Sequence, residues 1–237
     1  MPPRGGSADP AVSSFRVSPL QPPGLVEGAG YWLCRGIFRI SLRTLWHLSL
    51  ADVRELPDGP VILAANHRSF IDPLVLGSAV ERRVTYMMTA KYYDKPALNW
   101  FFRMSRCIVV DEEGDNKKAL RDSLEVLEAG KVLGIFPEGH ISPDGALQTA
   151  QPGMAWLARK TGAPVFPVWL GGTREALARG ERRLRLSHVV VRMGAPRRPA
   201  DFGTGRDAAA ELSSVIMADI ARLGGVAPPA PTPRRAS

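Results

Sequence analysis

Val61-Ile62-Leu63-Ala64-Ala65-Asn66-His67-Arg68-Ser69-Phe70-Ile71-Asp72-Pro73 is the stretch on which the fold turns. Its first five residues are all apolar, which predicts a short strand buried on both faces. The polar residues that follow predict a loop at the end of that strand, where a rigid element positions side chains and a loop exposes them. Pro73 predicts the start of a helix, with Asp72 in its first turn. His67 is the candidate proton acceptor of the loop. Asp72, five residues on, is placed to reach back and hold the other ring nitrogen, fixing the tautomer and steadying the imidazolium. The nucleophile need not come from the protein, since a substrate hydroxyl suffices. On this spacing alone, a second reading stands beside the first: a histidine on a strand-end turn, with an aspartate capping the next helix.

A second apolar run, Val132 to Phe136, leads into Pro137-Glu138-Gly139-His140-Ile141-Ser142. A third, Ala163-Pro164-Val165-Phe166-Pro167-Val168, has a central proline. The rest of the chain continues the alternation of apolar runs with helical patterns. Val84 to Met88, Cys107 to Asp111 and Val189 to Met193 read as strands. Pro73–Val80, Pro96–Met104, Asp115–Glu128, Pro152–Lys160 and Asp207–Leu223 read as helices. The order predicts an α/β fold with a mixed, largely parallel sheet flanked by helices and the site at the strand ends.

Taken in order, the three blocks resemble those of the glycerolipid acyltransferase family, which includes the 1-acylglycerol-3-phosphate acyltransferases. That family's NHxSxxD block is matched by Asn66, His67, Ser69 and Asp72. Its FPEGTRS block is matched by Phe136, Pro137, Glu138, Gly139 and Ser142, and its apolar strand with a central proline by Ala163 to Val168. The resemblance implies acyl transfer from a thioester, acyl-CoA or acyl carrier protein, to the free hydroxyl of a lysophospholipid. His67 is then the general base and Asp72 its orienting partner, with no cofactor and no metal. The same resemblance places Asn66, Ser69, Glu138, Gly139, His140 and Ser142 at the substrate. Glu138 has a plainer reading as a loop carboxylate held by backbone N–H groups. Backbone N–H groups of the Glu138-Gly139 loop are candidate oxyanion donors, because glycine permits close approach.

Two departures concern the acceptor. The arginine of FPEGTRS is Ile141 here, and the arginine that often follows the Cys107–Asp111 strand is Glu112. Losing both weakens the case for a phosphomonoester, which suits guanidinium forks. Arg106, Lys117 and Lys118 are the residues in line to replace them, and Lys91 is a weaker candidate. The EGxI(S/T) pattern is also similar to bacterial acyltransferases that act on 2-acylglycerophosphoethanolamine. A diester lysophospholipid or another lipid alcohol is therefore an open alternative.

The 237 residues suit a single acyltransferase domain over 25–223, with Pro-rich, disordered ends at 1–24 and 224–237. A net charge of +8 and a pI near 10.0 call for an anionic partner. No zinc spacing or RNA-binding motif accompanies that charge, so a membrane lipid surface is expected and nucleic acid is not. An inactive lipid-binding relative and a transacylase remain rivals within the family. Cys34 and Cys107 form no metal pair and fit a reducing compartment. No run of about 18 apolar residues predicts a membrane span, and no compact apolar N-terminal region predicts a signal peptide. A cytoplasmic protein, peripheral on the inner face of the cell membrane, is the resulting expectation. Residues 30–50 predict an amphipathic helix in which Arg35, Arg39, Arg43 and His47 form one stripe beside Trp32 and Trp46. That helix either lies at a membrane interface or packs on the sheet with a solvated basic edge.

Overall fold

The computed structural model describes residues 25–89, 105–110, 116–181, 183–205 and 207–229. The proposed disordered arm, Lys91, the Pro96–Met104 helix, Glu112, Asp115 and the end of the tail lie outside them.

A long helix, α1 (Leu25–Leu45), leads to a short strand, β1 (Ser49–Ala51). Strand β2 (Val61–Ala65) and helix α2 (Asp72–Ala79) follow, then β3 (Val84–Thr89) and β4 (Ile108–Val110). Helix α3 (Lys117–Glu128) returns to β5 (Val132–Ile135), and α4 (Gly153–Thr161) returns to β6 (Val165–Gly171). A single turn, α5 (Thr173–Ala176), precedes β7 (Val190–Met193), and α6 (Ala208–Gly224) closes the order.

The seven strands form one sheet in the order β1-β7-β6-β2-β5-β3-β4. Five run parallel; β7 runs antiparallel to β6, and β1 runs parallel to β7. β2 is near the centre because it is apolar on both faces. Its residues alternate between two cores: Val61, Leu63 and Ala65 face α2 with Val75 and Leu76, while Ile62 and Ala64 face α3, α4 and α6 with Leu127, Leu157 and Ile216. All five are fully buried. A proline inside a sheet costs a ladder hydrogen bond. Pro167 avoids much of that loss because the regular β6–β7 register begins only at Val168, and the Pro167 carbonyl still accepts the Gly194 N–H at 2.9 Å.

Helix boundaries follow local chemistry. Gly162 adopts φ +69° as the left-handed cap of α4, where a side chain would be strained. No described helix is long and apolar enough to cross a membrane.

The expected helix over 30–50 is displaced and turned. It spans Leu25–Leu45, so His47 lies beyond it. Its arginines do not form one solvated stripe, since Arg43 is exposed but Arg35 and Arg39 are engaged by the protein. Arg35 donates through Nε to the Gly77 carbonyl at 3.0 Å and through Nη2 to the Val80 carbonyl, and Arg39 pairs with Glu81 at 2.8 Å. The last carbonyls of α2 lack helical donors, and Arg35 supplies them. The outward face is instead apolar: Trp32, Leu33, Ile37 and Ile40 are exposed.

Candidate active site

β2 and β5 end at the same edge of the sheet, so the His67 loop and the Glu138 loop meet there. Asp72, fully buried at the start of α2, organises the first loop. One oxygen, Oδ2, accepts the backbone N–H groups of Arg68 at 2.6 Å and Ser69 at 2.7 Å. The same oxygen lies 2.9 Å from His67 Nδ1. That bond leaves Nε2 as the ring nitrogen available to a substrate proton. The imidazole also stacks on Phe136, with ring centroids 4.0 Å apart and planes 18° from parallel. A ring clamped through one nitrogen and one face loses little further freedom when it works.

The second loop holds the backbone of His67. Glu138 Oε1 accepts the His67 N–H at 2.8 Å, and Oε2 accepts the Gln148 N–H at 3.1 Å. The Ser142 N–H donates to the His67 carbonyl at 2.8 Å. Burial pushes the Glu138 carboxyl up to about 7, outweighing the two hydrogen bonds that favour its ionised form.

These contacts change several roles expected from sequence. Glu138 is buried and bonded to backbone N–H groups, which matches its plainer reading. The Gly139 N–H donates to the Phe136 carbonyl at 3.0 Å, so it is not an oxyanion donor. Gly139 itself turns the loop at φ +77°. Asn66 is fully buried and spends its amide on Leu170: Nδ2 donates to the carbonyl at 2.9 Å and Oδ1 accepts the N–H at 2.7 Å. It ties the end of β2 to β6. Ser69 donates to the Leu177 carbonyl at 2.6 Å, and Ser142 holds its own turn through Asp144 and Ala146. Both anchor their loops.

Arg106 is misplaced as a phosphate contact. It precedes β4 and therefore lies at the opposite, amino-terminal edge of the sheet, buried near Lys131. Burial first, then the charge of Arg106, lowers the Lys131 ammonium. Lys117 is at the correct edge, exposed at the start of α3, but it follows β4, which lies three places from β2 in the sheet. His140 is exposed at the loop. Among the described residues, no three His, Cys, Asp or Glu side chains converge as metal ligands.

Phe136, Arg68 and Gln148 belong to the site but were not singled out for it. Phe136 and Arg68 sit inside the two motif blocks, which was their only signal. Gln148 acts through its backbone, which no side-chain pattern announces.

Comparison with known proteins gives the family and the fold. A family model described as acyltransferase matches residues 48–171. Over 158 residues the chain is 27% identical to a chloroplastic 1-acyl-sn-glycerol-3-phosphate acyltransferase of Arabidopsis thaliana, covering 65% of this chain and 44% of that one. Over 124 residues it is 27% identical to a lyso-ornithine lipid O-acyltransferase of Pseudomonas aeruginosa, covering 52% and 47%. The chain thus spans about half the length of the curated relatives it matches. The crystal structure of a 1-acyl-sn-glycerophosphate acyltransferase from Thermotoga maritima superposes with a TM-score of 0.67 at 22% identity, covering 83% and 82% of the two chains, and shows the same fold. Since the family's model takes in more than half of the residues, and the loops that meet around His67 fall at or within its bounds, the chain belongs to the glycerolipid acyltransferase family.

Proposed function

We propose that this protein transfers a fatty acyl group from a thioester, acyl-CoA or acyl carrier protein, to the free hydroxyl of a lysophospholipid at a membrane surface. The observation that carries the reading is the bond of His67 Nδ1 to buried Asp72, with Nε2 left for the substrate and the ring backed by Phe136. A hydroxyl is a poor nucleophile at neutral pH. His67 Nε2 takes its proton as the oxygen attacks the thioester carbonyl, a contribution of roughly 10²–10⁴-fold. Asp72 holds the tautomer and stabilises the imidazolium, which then protonates the leaving thiolate. The braces from Glu138 and Ser142 fix the base relative to both loops.

The exposed apolar face of α1 and the net charge of +8 favour a peripheral position on an anionic leaflet. A cytoplasmic location on the inner face of the cell membrane fits that arrangement. A second reading, an acceptor other than a phosphomonoester, draws on Ile141, which is buried at the position where the family's arginine stands. The relative that acts on a lyso-ornithine lipid gives it a precedent.

The test is a donor-by-acceptor assay of purified protein in mixed micelles. Acyl-CoA and acyl carrier protein are each paired with lysophosphatidic acid, lysophosphatidylethanolamine and a monoacylglycerol, with His67→Ala as control. Transfer that disappears in His67→Ala is the expected result. No transfer with any pair, or transfer indifferent to His67→Ala, removes the reading.

A further inference from the structure

The loop that carries Ile141 is ringed by guanidinium groups that come from elsewhere in the chain. Arg179 Nη1 donates to the Ile141 carbonyl at 3.1 Å. More telling is the space over Gly145. Arg174 Nη1 lies 2.5 Å, and Arg68 Nη2 3.0 Å, from the single point that a Cβ at Gly145 would occupy. Two cations therefore meet over a residue without a side chain, in a turn whose φ of +84° favours glycine. Like charges held this closely repel unless an anion lies between them.

The carboxylates near them hold hydroxyl and backbone groups while still acting by charge on the arginines, Asp144 on Arg174 and Glu138 on Arg68. Asp144 Oδ1 accepts from the Ser142 hydroxyl at 3.0 Å and the Ala146 N–H at 2.9 Å. Glu138 holds the two backbone N–H groups already described. Arg68 Nε is buried with no hydrogen-bond partner among the described residues. Its guanidinium lies 5.4 Å over the Trp169 ring, which fixes the plane without using a donor. Arg174 makes a long bond of 3.4 Å to the Pro143 carbonyl. Donors are therefore to hand on both side chains.

We propose that Arg68 and Arg174 bind the phosphate of the acceptor lipid, in place of the two arginines that the motif blocks lack. The assignment rests on the acyl-transfer reading of His67. Arg68 is the next residue after the base, and the Ser142 N–H ties the Gly145 turn to the His67 carbonyl. In a monoacylated glycerol phosphate, the phosphate sits on the carbon beside one of the carbons that bear a free or acylated hydroxyl. Its anchor must then lie close to the base. Two guanidinium forks suit a dianionic monoester better than a diester, because each presents paired donors to paired oxygens.

The experiment measures acceptor kinetics for wild type, Arg68→Gln, Arg174→Gln and the double variant, with Arg68→Lys as the conservative control. The acceptors are lysophosphatidic acid, lysophosphatidylethanolamine and a phosphate-free monoacylglycerol, and a thermal melt checks that each variant folds. Each glutamine variant is expected to raise KM for lysophosphatidic acid about tenfold or more, as expected for a lost charge-assisted bond. The rise is smaller for the diester and smallest for monoacylglycerol, with kcat changed less than KM; Arg68→Lys falls between. Equal effects on all three acceptors, or no effect in folded Arg174→Gln and the double variant, overturn the assignment while leaving the acyl-transfer reading intact. A wild type that acylates monoacylglycerol but no phosphate-bearing lipid also overturns it. A wild type inactive on every acceptor overturns both.

Discussion

Glu138 Oε1 accepts the backbone N–H of His67 at 2.8 Å, across 71 residues of sequence. A buried carboxylate thus holds the main chain of the base. The Ser142 N–H takes the His67 carbonyl from the same loop, so the residue is gripped at both ends of its backbone while Asp72 grips its ring.

Glu138→Gln separates this brace from any contact with substrate. An amide can accept one of the two N–H groups, but its NH₂ then faces the other as donor against donor. Leaving a buried group unsatisfied costs about 1–3 kcal/mol. The variant is expected to melt earlier and to lose kcat through misplacement of His67, with KM little changed. A raised KM at unchanged kcat and Tm would restore Glu138 to the acceptor site.

The same carboxyl makes stability depend on pH. Its value rises from the ordinary 4.5 to about 7, chiefly through burial. Between those values the folded protein binds more protons than the unfolded chain. The contribution is therefore fully present below 4.5 and is lost as the pH rises through about 7. Chemical denaturation at several pH values is expected to show stability falling over that window in wild type, and a flatter profile in Glu138→Gln. Profiles of equal slope would mean that Glu138 titrates normally.

Asp72→Asn tests the orienting role of the carboxylate. Its remaining oxygen can still accept the N–H groups of Arg68 and Ser69, so the loop survives, but the imidazolium loses its counter-charge. The expected loss is roughly 10²–10⁴-fold in kcat, similar to His67→Ala, and the double variant falls little further because the two act as a unit. Multiplicative losses in the double variant would show that they act independently.

Asn66 stands beside the base yet is expected to behave as a structural residue. Asn66→Ala orphans the N–H and C=O of Leu170 in the interior, at a cost of about 1–3 kcal/mol for each group. Calorimetry is expected to show a much lower Tm, with KM for acceptor unchanged in the folded fraction. An unchanged Tm with a raised KM would return Asn66 to the substrate.

Six of the seven described strands were legible because buried strands are written as continuous apolar runs such as Val61–Ala65, whereas the short edge strand Ser49–Ala51 begins where a helix was expected. The His67–Asp72 pair was legible because both partners lie in one loop. The role of Asn66 was not, because its partner is a backbone 104 residues away that carries no residue-type signal. For Glu138 the sequence offered the backbone-holding role only as one of two readings, since it could not name the His67 N–H 71 residues away. Arg106 misled for a related reason. Its spacing placed it beside a strand but did not say at which end of the strand the site lay. In α1, periodicity told which residues share a face but not which face packs. The uncapped carbonyls at the end of α2 decided that by drawing in Arg35.

That reversal makes the apolar face of α1 the place to test membrane binding. Ile37 and Ile40 are 54% and 64% exposed and lie on one side of the helix with Leu33. Burying a full isoleucine side chain contributes about 1.5–3 kcal/mol, and a carboxylate at the same point adds repulsion from an anionic leaflet. Ile37→Glu combined with Ile40→Glu is therefore expected to weaken cosedimentation with anionic phospholipid vesicles at least about tenfold. The melting temperature should hardly move, because neither side chain supports the core. Arg43→Ala, on an exposed residue of the same helix, is expected to make a smaller, salt-sensitive difference of about 1 kcal/mol. If the double glutamate variant bound vesicles as wild type does, the outward face of α1 would not be the membrane contact. If its melting temperature collapsed, that face would be packed against protein.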